Sequence, residues 1–120
     1  MKIVNALAGV AVARIDDAVA WYSKVIGGSP HGRPMEGLAE FRFDRGGWLQ
    51  IFEDRSRAGK SSVTLAVSSL DEQIQALRKV GVDIGNRTKT EYVATAIVND
   101  PDGNQIVFAE SLDAKNQSAR

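Results

Sequence analysis

The second half of this chain repeats the first. Ile15-Asp16-Asp17-Ala18-Val19-Ala20-Trp21-Tyr22-Ser23-Lys24-Val25 runs in step with Leu70-Asp71-Glu72-Gln73-Ile74-Gln75-Ala76-Leu77-Arg78-Lys79-Val80, 55 residues further on. Apolar residues match at Ile15, Val19, Tyr22 and Val25, while Asp16, Asp17 and Lys24 meet residues of like charge. Positions spaced i, i+4, i+7, i+10 share one face of a helix, so the repeat predicts two amphipathic helices. Duplication restricts the fold to two like modules.

Both helices have legible ends. Ser69-Leu70-Asp71-Glu72 is a capping box, in which the Ser hydroxyl and the Glu carboxylate each satisfy an orphan backbone N–H. The first helix lacks that cap but carries Asp16 and Asp17 in its first turn, where the helix dipole favours anions. Gly27 and Gly81 follow as stops.

Strand patterns surround each helix. Val10-x-Val12 corresponds to Leu65-x-Val67. Alternating runs over Leu38–Phe43 and Trp48–Phe52, joined by Asp44-Arg45-Gly46-Gly47, match runs over Tyr92–Val98 and Gln105–Phe108, joined by Asp100-Pro101-Asp102-Gly103. The second turn has the chemistry of a type I turn, with Asp first, Pro second and Gly fourth. Short strands are expected near Pro30–Pro34 and Val82–Thr88. The expected order is β-α-β-β-β twice, an α+β fold. Module one spans about residues 1–54 and module two about 61–111, with a boundary in the polar loop Asp54–Lys60 and a polar, frayed tail over Leu112–Arg120.

Alternation assigns faces. Ala8, Val10 and Val12, with Val63, Leu65 and Val67, are expected against the helices, as are Leu49, Ile51, Ile106 and Phe108. Pairing across a four-residue turn Asp44–Gly47 sets Phe43 near Trp48 and Phe41 near Gln50. On that register Phe41, Phe43, Trp48 and Phe52 surround one amide on the helix-free face, the composition of a small-molecule pocket. The same residues would also serve as an ordinary aromatic core or a module–module interface. Glu40 falls with Arg42 on the helix side, and Arg42 is expected to pair with Glu40 or Glu53.

Composition excludes several functions. The 120 residues suffice for one domain, which buries roughly two-thirds of the unfolded surface. Fifteen basic and fifteen acidic side chains balance, which argues against a polyanion-binding surface. The absence of cysteine removes disulfides, thiolate zinc sites and Cys nucleophiles, and the single histidine, His31, cannot supply two imidazoles to a metal from one chain. His31 is expected at a rim or surface, Arg33 is a candidate for an anionic ligand, and Ser62 has no neighbouring base to make it a nucleophile. The apolar N-terminal stretch is short for a signal peptide or a membrane span, so a cytoplasmic protein is expected.

The duplicated βαβββ unit, Ala18-x-x-Trp21-Tyr22 after an acidic helix start, and Asp100-Pro101-Asp102-Gly103-Asn104-x-Ile106 resemble the vicinal oxygen chelate superfamily. That superfamily includes glyoxalase I, bleomycin resistance proteins and extradiol dioxygenases. The resemblance covers nearly all of residues 3–110. It implies a curved, incomplete barrel with helices outside, commonly as a homodimer, around a ligand cavity. Metal enzymes of the superfamily draw His and Glu ligands from first and last strands, which by position are Leu7, Gln50 (or Ile51), Ser62 and Val107 here. Leu and Val cannot coordinate a cation, and Ser and Gln offer only neutral oxygens. The resemblance therefore implies a metal-independent binding protein with no cofactor, holding a small molecule against Phe41, Phe43, Trp48 and Phe52 with Gln50 and Ser62 as polar partners. The alternatives are a metal-dependent lyase, isomerase or dioxygenase-like enzyme with atypical ligands, and a module kept for dimerisation.

Overall fold

The computed structural model describes residues 1–112. The elements run β1 (Leu7–Val12), α1 (Ile15–Ile26), β2 (Gly32–Met35), β3 (Leu38–Arg42), β4 (Trp48–Glu53), then β5 (Ser62–Ala66), α2 (Leu70–Lys79), β6 (Arg87–Lys89), β7 (Val93–Asn99) and β8 (Gln105–Ser111). Each half is one open four-stranded sheet, ordered β1-β4-β3-β2 and β5-β8-β7-β6. The first strand of each pairs in parallel with the last, and the remaining pairs are antiparallel. The doubled α+β architecture is thus as the repeat predicts. The edge strands are shorter or shifted: β6 covers only Arg87–Lys89, although Gly85 and Asn86 already exchange backbone bonds with Ile97. Of the tail expected to fray, all but Leu112 lies outside the described residues.

The helix ends behave as their sequences dictate, with one substitution of partner. Gly27 takes the left-handed conformation at φ 88° and its N–H donates to the Ser23 carbonyl. The Ser69 hydroxyl accepts from the Glu72 N–H at 3.2 Å. A second orphan donor is met from outside the helix, where the Leu70 N–H donates to Glu110 Oε1 at 2.7 Å. Each helix packs one apolar stripe on its own sheet. Val10, Val12, Tyr22, Val25, Leu49 and Ile51 are buried in the first module, and Ile74, Leu77, Val98, Ile106 and Phe108 in the second, within one continuous core.

The β3–β4 hairpin corrects the face assignment. The Phe43 N–H donates to the Gly47 carbonyl at 2.8 Å, and Gly46 sits at φ 94°. The loop is therefore the three residues Asp44-Arg45-Gly46, with glycine in the left-handed position such a loop requires. Arg42 then pairs with Trp48, Phe41 with Leu49 and Glu40 with Gln50. A one-residue change of register turns every side chain to the other face. Phe41 is fully buried beside Leu49 and Ile51, and Phe43 packs against the same core. Neither lies on the helix-free face, where Glu40 and Arg42 stand instead.

The Asp100–Asn104 turn joins the modules. Asn104 is fully buried; its Nδ2 donates to the Ala11 carbonyl of β1 at 2.8 Å and to Asp100 Oδ2 at 2.7 Å, while its Oδ1 accepts from the Ser61 N–H at 2.9 Å. Asp102 accepts from the Ala13 N–H at 3.1 Å, and the Ser61 hydroxyl accepts from the Ala11 N–H at 3.1 Å. Buried polar groups persist where each finds a partner, and here Ala11 and Ala13 supply partners from across the module boundary. The turn thereby fixes β1 beside the start of β5.

Candidate functional site

The helix-free face of the first sheet is built in three cross-strand rows. Leu7, Trp48 and Arg42 form one; Gly9, Gln50 and Glu40 the next; Ala11, Phe52 and Leu38 the third. Trp48, Gln50 and Phe52 alternate along β4 and are half-buried, while Leu49 and Ile51 between them are fully buried under α1. Gln50, not Ile51, therefore faces the open side. Gly9 makes room for the third row, because a Cβ there would lie 3.2 Å from Phe52 Cε1.

Both aromatic rings carry a guanidinium. Arg42 Cζ lies 4.2 Å from the centroid of Trp48, and Arg57 Cζ lies 5.2 Å from that of Phe52. Cations settle on aromatic faces through the ring quadrupole. Arg42 is paired with neither Glu40 nor Glu53, against expectation. It lies on the opposite sheet face from the one assigned to it, and Trp48 is its direct cross-strand neighbour. Glu40 is only 8% exposed and accepts from Gln50 Nε2 at 2.9 Å.

Ser62 belongs to the second sheet. It is exposed, and its hydroxyl is paired with Gln105 Nε2 at 3.3 Å. That sheet's helix-free face continues with Thr64, Val107, Ile97, Thr95 and Thr88, all uncharged. The structure thus brings Trp48, Gln50 and Phe52 together on one strand, places Ser62 on the neighbouring sheet, and removes Phe41 and Phe43 to the core. Leu38, Glu40 and Arg42 were missed. The signal was Gly46, which can take the left-handed position of a three-residue loop.

In one chain this face is open rather than enclosed: Leu7 is 42% exposed, and Gly9, Ser62 and Thr64 are exposed. Two depressions lie elsewhere. One of about 400 Å³ runs between Trp21, Val82 and Pro101, and one of about 210 Å³ between Arg14, Ala18 and Asp102. Neither touches the aromatic rows.

The candidate metal positions do not fit a cation. Leu7 and Val107 carry no donor atom, and Gln50 and Ser62 are neutral. Among the described residues no three His, Cys, Asp or Glu side chains converge. His31 is an edge residue: its N–H donates to the Glu40 carbonyl and its Nδ1 accepts from the Arg42 N–H at 3.0 Å. Arg33 is paired with Asp16 at 3.2 Å. Among the described residues no helix is long and apolar enough to cross a membrane.

Comparison with known proteins agrees with this architecture. The family model for the Glyoxalase/Bleomycin resistance protein/Dioxygenase superfamily matches residues 3–108. A glyoxalase/bleomycin resistance protein from Catenulispora acidiphila DSM 44928 is 33% identical with a TM-score of 0.82, covering 90% of this chain and 98% of its own. TnmS3, an antibiotic binding protein from Streptomyces sp. CB03234, is 20% identical with a TM-score of 0.80, covering 92% and 98%. A bleomycin-binding protein complexed with bleomycin is 19% identical with a TM-score of 0.74, covering 90% and 98%. No curated protein gives a significant match. Matched by the family model over most of its length and by a 33% identical structure over 90% of it, the chain belongs to the glyoxalase/bleomycin resistance protein/dioxygenase superfamily.

Proposed function

We propose that this protein binds a small apolar or aromatic molecule without a metal ion, on the helix-free face. Trp48 and Phe52 supply the apolar wall, and Gln50 and Ser62 the polar partners. The observation that carries the reading is the clustering of Trp48, Gln50 and Phe52 on one open strand face, beside Leu7, which has no donor atom for a cation. The antibiotic- and bleomycin-binding proteins of the same fold support small-molecule binding as the class of activity. Because one chain leaves the face open, a second copy closing it into a cavity completes the proposal, in a cytoplasmic homodimer that needs no nucleic acid or membrane.

The test uses N-phenyl-1-naphthylamine, a neutral aromatic fluorophore, with protein treated and untreated with chelator. The expected result is saturable binding that survives chelation and is lost in Trp48→Ala with Phe52→Ala. Stoichiometric zinc, nickel, iron or manganese in the purified protein, with binding that chelation abolishes, would overturn it in favour of a metal-dependent enzyme. Sedimentation equilibrium tests the dimer; a monomer at micromolar concentration would remove that part.

A further inference from the structure

Glu40 is the anomaly of the open face. A carboxylate this far from water is ordinarily paired with a cation. Here no Lys, Arg or His side chain pairs with it among the described residues, and its side-chain partner is the neutral Gln50 amide. Gln50 occupies one carboxylate oxygen. No buried side-chain oxygen or nitrogen lacks a partner among the described residues, so the second oxygen keeps some contact with solvent.

The pair also orients Gln50. A carboxylate only accepts, so the amide turns its NH₂ toward Glu40 and keeps its carbonyl oxygen free of that bond. The middle row, beside the bare backbone of Gly9, thus carries two acceptor groups on directly paired residues: the carboxylate of Glu40 and the amide oxygen of Gln50. The flanking rows present Trp48 and Phe52.

We infer that Glu40 and Gln50 select a ligand carrying a positively charged, donor-rich nitrogen group, an amine or amidine, on an apolar body. The inference rests on the helix-free face being the binding site. Hydrogen bonds to a charged acceptor are the strong ones, and a planar amidinium offers two parallel N–H donors to match two acceptors. Arg42 and Arg57 stand over the rings of the two flanking rows and both are exposed, Arg57 also paired with Asp54, so water and salt screen their repulsion, whereas Glu40 would touch the group directly.

The experiment titrates 2-naphthamidine, 2-naphthamide and 2-naphthoate into isotope-labelled protein. Nuclear magnetic resonance follows the Trp48 indole and the Gln50 side-chain amide. The expected result is an amidine at least tenfold tighter than the amide, an advantage that shrinks to within twofold in Glu40→Gln while the affinity for the amide holds. Gln50→Leu, which keeps the carboxylate, is expected to weaken the amidine several-fold, and it carries the test if Glu40→Gln does not fold. Equal affinities, or naphthoate tightest, would overturn the inference and leave the apolar site standing. No Trp48 shift with any of the three would overturn both. Zinc or manganese chloride alone shifting the Gln50 amide and displacing the amidine would overturn it in favour of a metal site.

Discussion

The Tyr22 hydroxyl of α1 donates to Asp100 Oδ2 at 2.7 Å, joining the helix of one module to the turn of the other. Tyr22 is fully buried. Burial first, then the hydrogen bond to Asp100, then the charges of Asp100 and Asp102 push its ionisation far above the ordinary tyrosine value. The unfolded chain loses this proton near pH 10, and the folded protein keeps it. The folded state therefore holds more protons above pH 10, and stability falls there with rising pH. The expected slope is about 1.4 kcal/mol per pH unit from this one group. Urea denaturation between pH 9 and 11.5 measures it, and Tyr22→Phe should flatten it by one proton's worth.

Asn104→Ala removes the shared partner of Ala11, Ser61 and Asp100. The Ala11 carbonyl and the Ser61 N–H lose bonds that water cannot easily replace. The expected loss is about 2–4 kcal/mol of unfolding free energy, read by urea denaturation. A loss within 0.5 kcal/mol, the range of ordinary surface changes, would mean the turn does not fasten the modules.

Gly59, in the loop between the modules, stands at φ 84° with its missing Cβ direction only 2.4 Å from the Asp102 carbonyl oxygen. Gly59→Ala adds both left-handed strain and a backbone clash. A destabilisation of about 2–3 kcal/mol is expected from thermal melting. Gly28→Ala, at a position with open space and no left-handed requirement, is the control and should be close to neutral.

Gly9→Val places a branched side chain on the middle row, against the Phe52 ring. Gly9 is exposed on that face, so the core is untouched and the melting temperature should change by only a few degrees. Affinity for N-phenyl-1-naphthylamine should fall at least tenfold. Retained affinity would move the site off the first sheet.

The repeat made the doubled fold legible, because the spacing of Ile15, Val19, Tyr22 and Val25 recurs in Leu70, Ile74, Leu77 and Val80. Periodicity alone sets that stripe against the sheet, except that Val80 falls past the end of α2 and is 40% exposed. The faces of β4 were legible for the same reason: Leu49 and Ile51 alternate with Trp48, Gln50 and Phe52. The partner strand was not, because its face depends on loop length. Asp44-Arg45-Gly46-Gly47 admits either a three- or a four-residue loop, and only the left-handed Gly46 with the Phe43–Gly47 pair decides between them. Glu40 and Arg42 exchanged sides with Phe41 and Phe43 on that single residue. The link from Asn104 to Ala11 spans 93 positions, and no local pattern announces it.

The joint made by Asn104 has a direction. The Phe43–Gly47 pair stands where the Asp100–Asn104 pair does, each closing on a left-handed glycine, so Phe43 occupies the place of Asp100, Gly47 that of Asn104 and Leu77 that of Tyr22. The second half carries the latch, and the first has apolar side chains or bare backbone at the same positions. The halves are consequently no longer interchangeable. A chain made by fusing two first halves would have nothing to bolt it together, and one made of two second halves would lack the tryptophan wall.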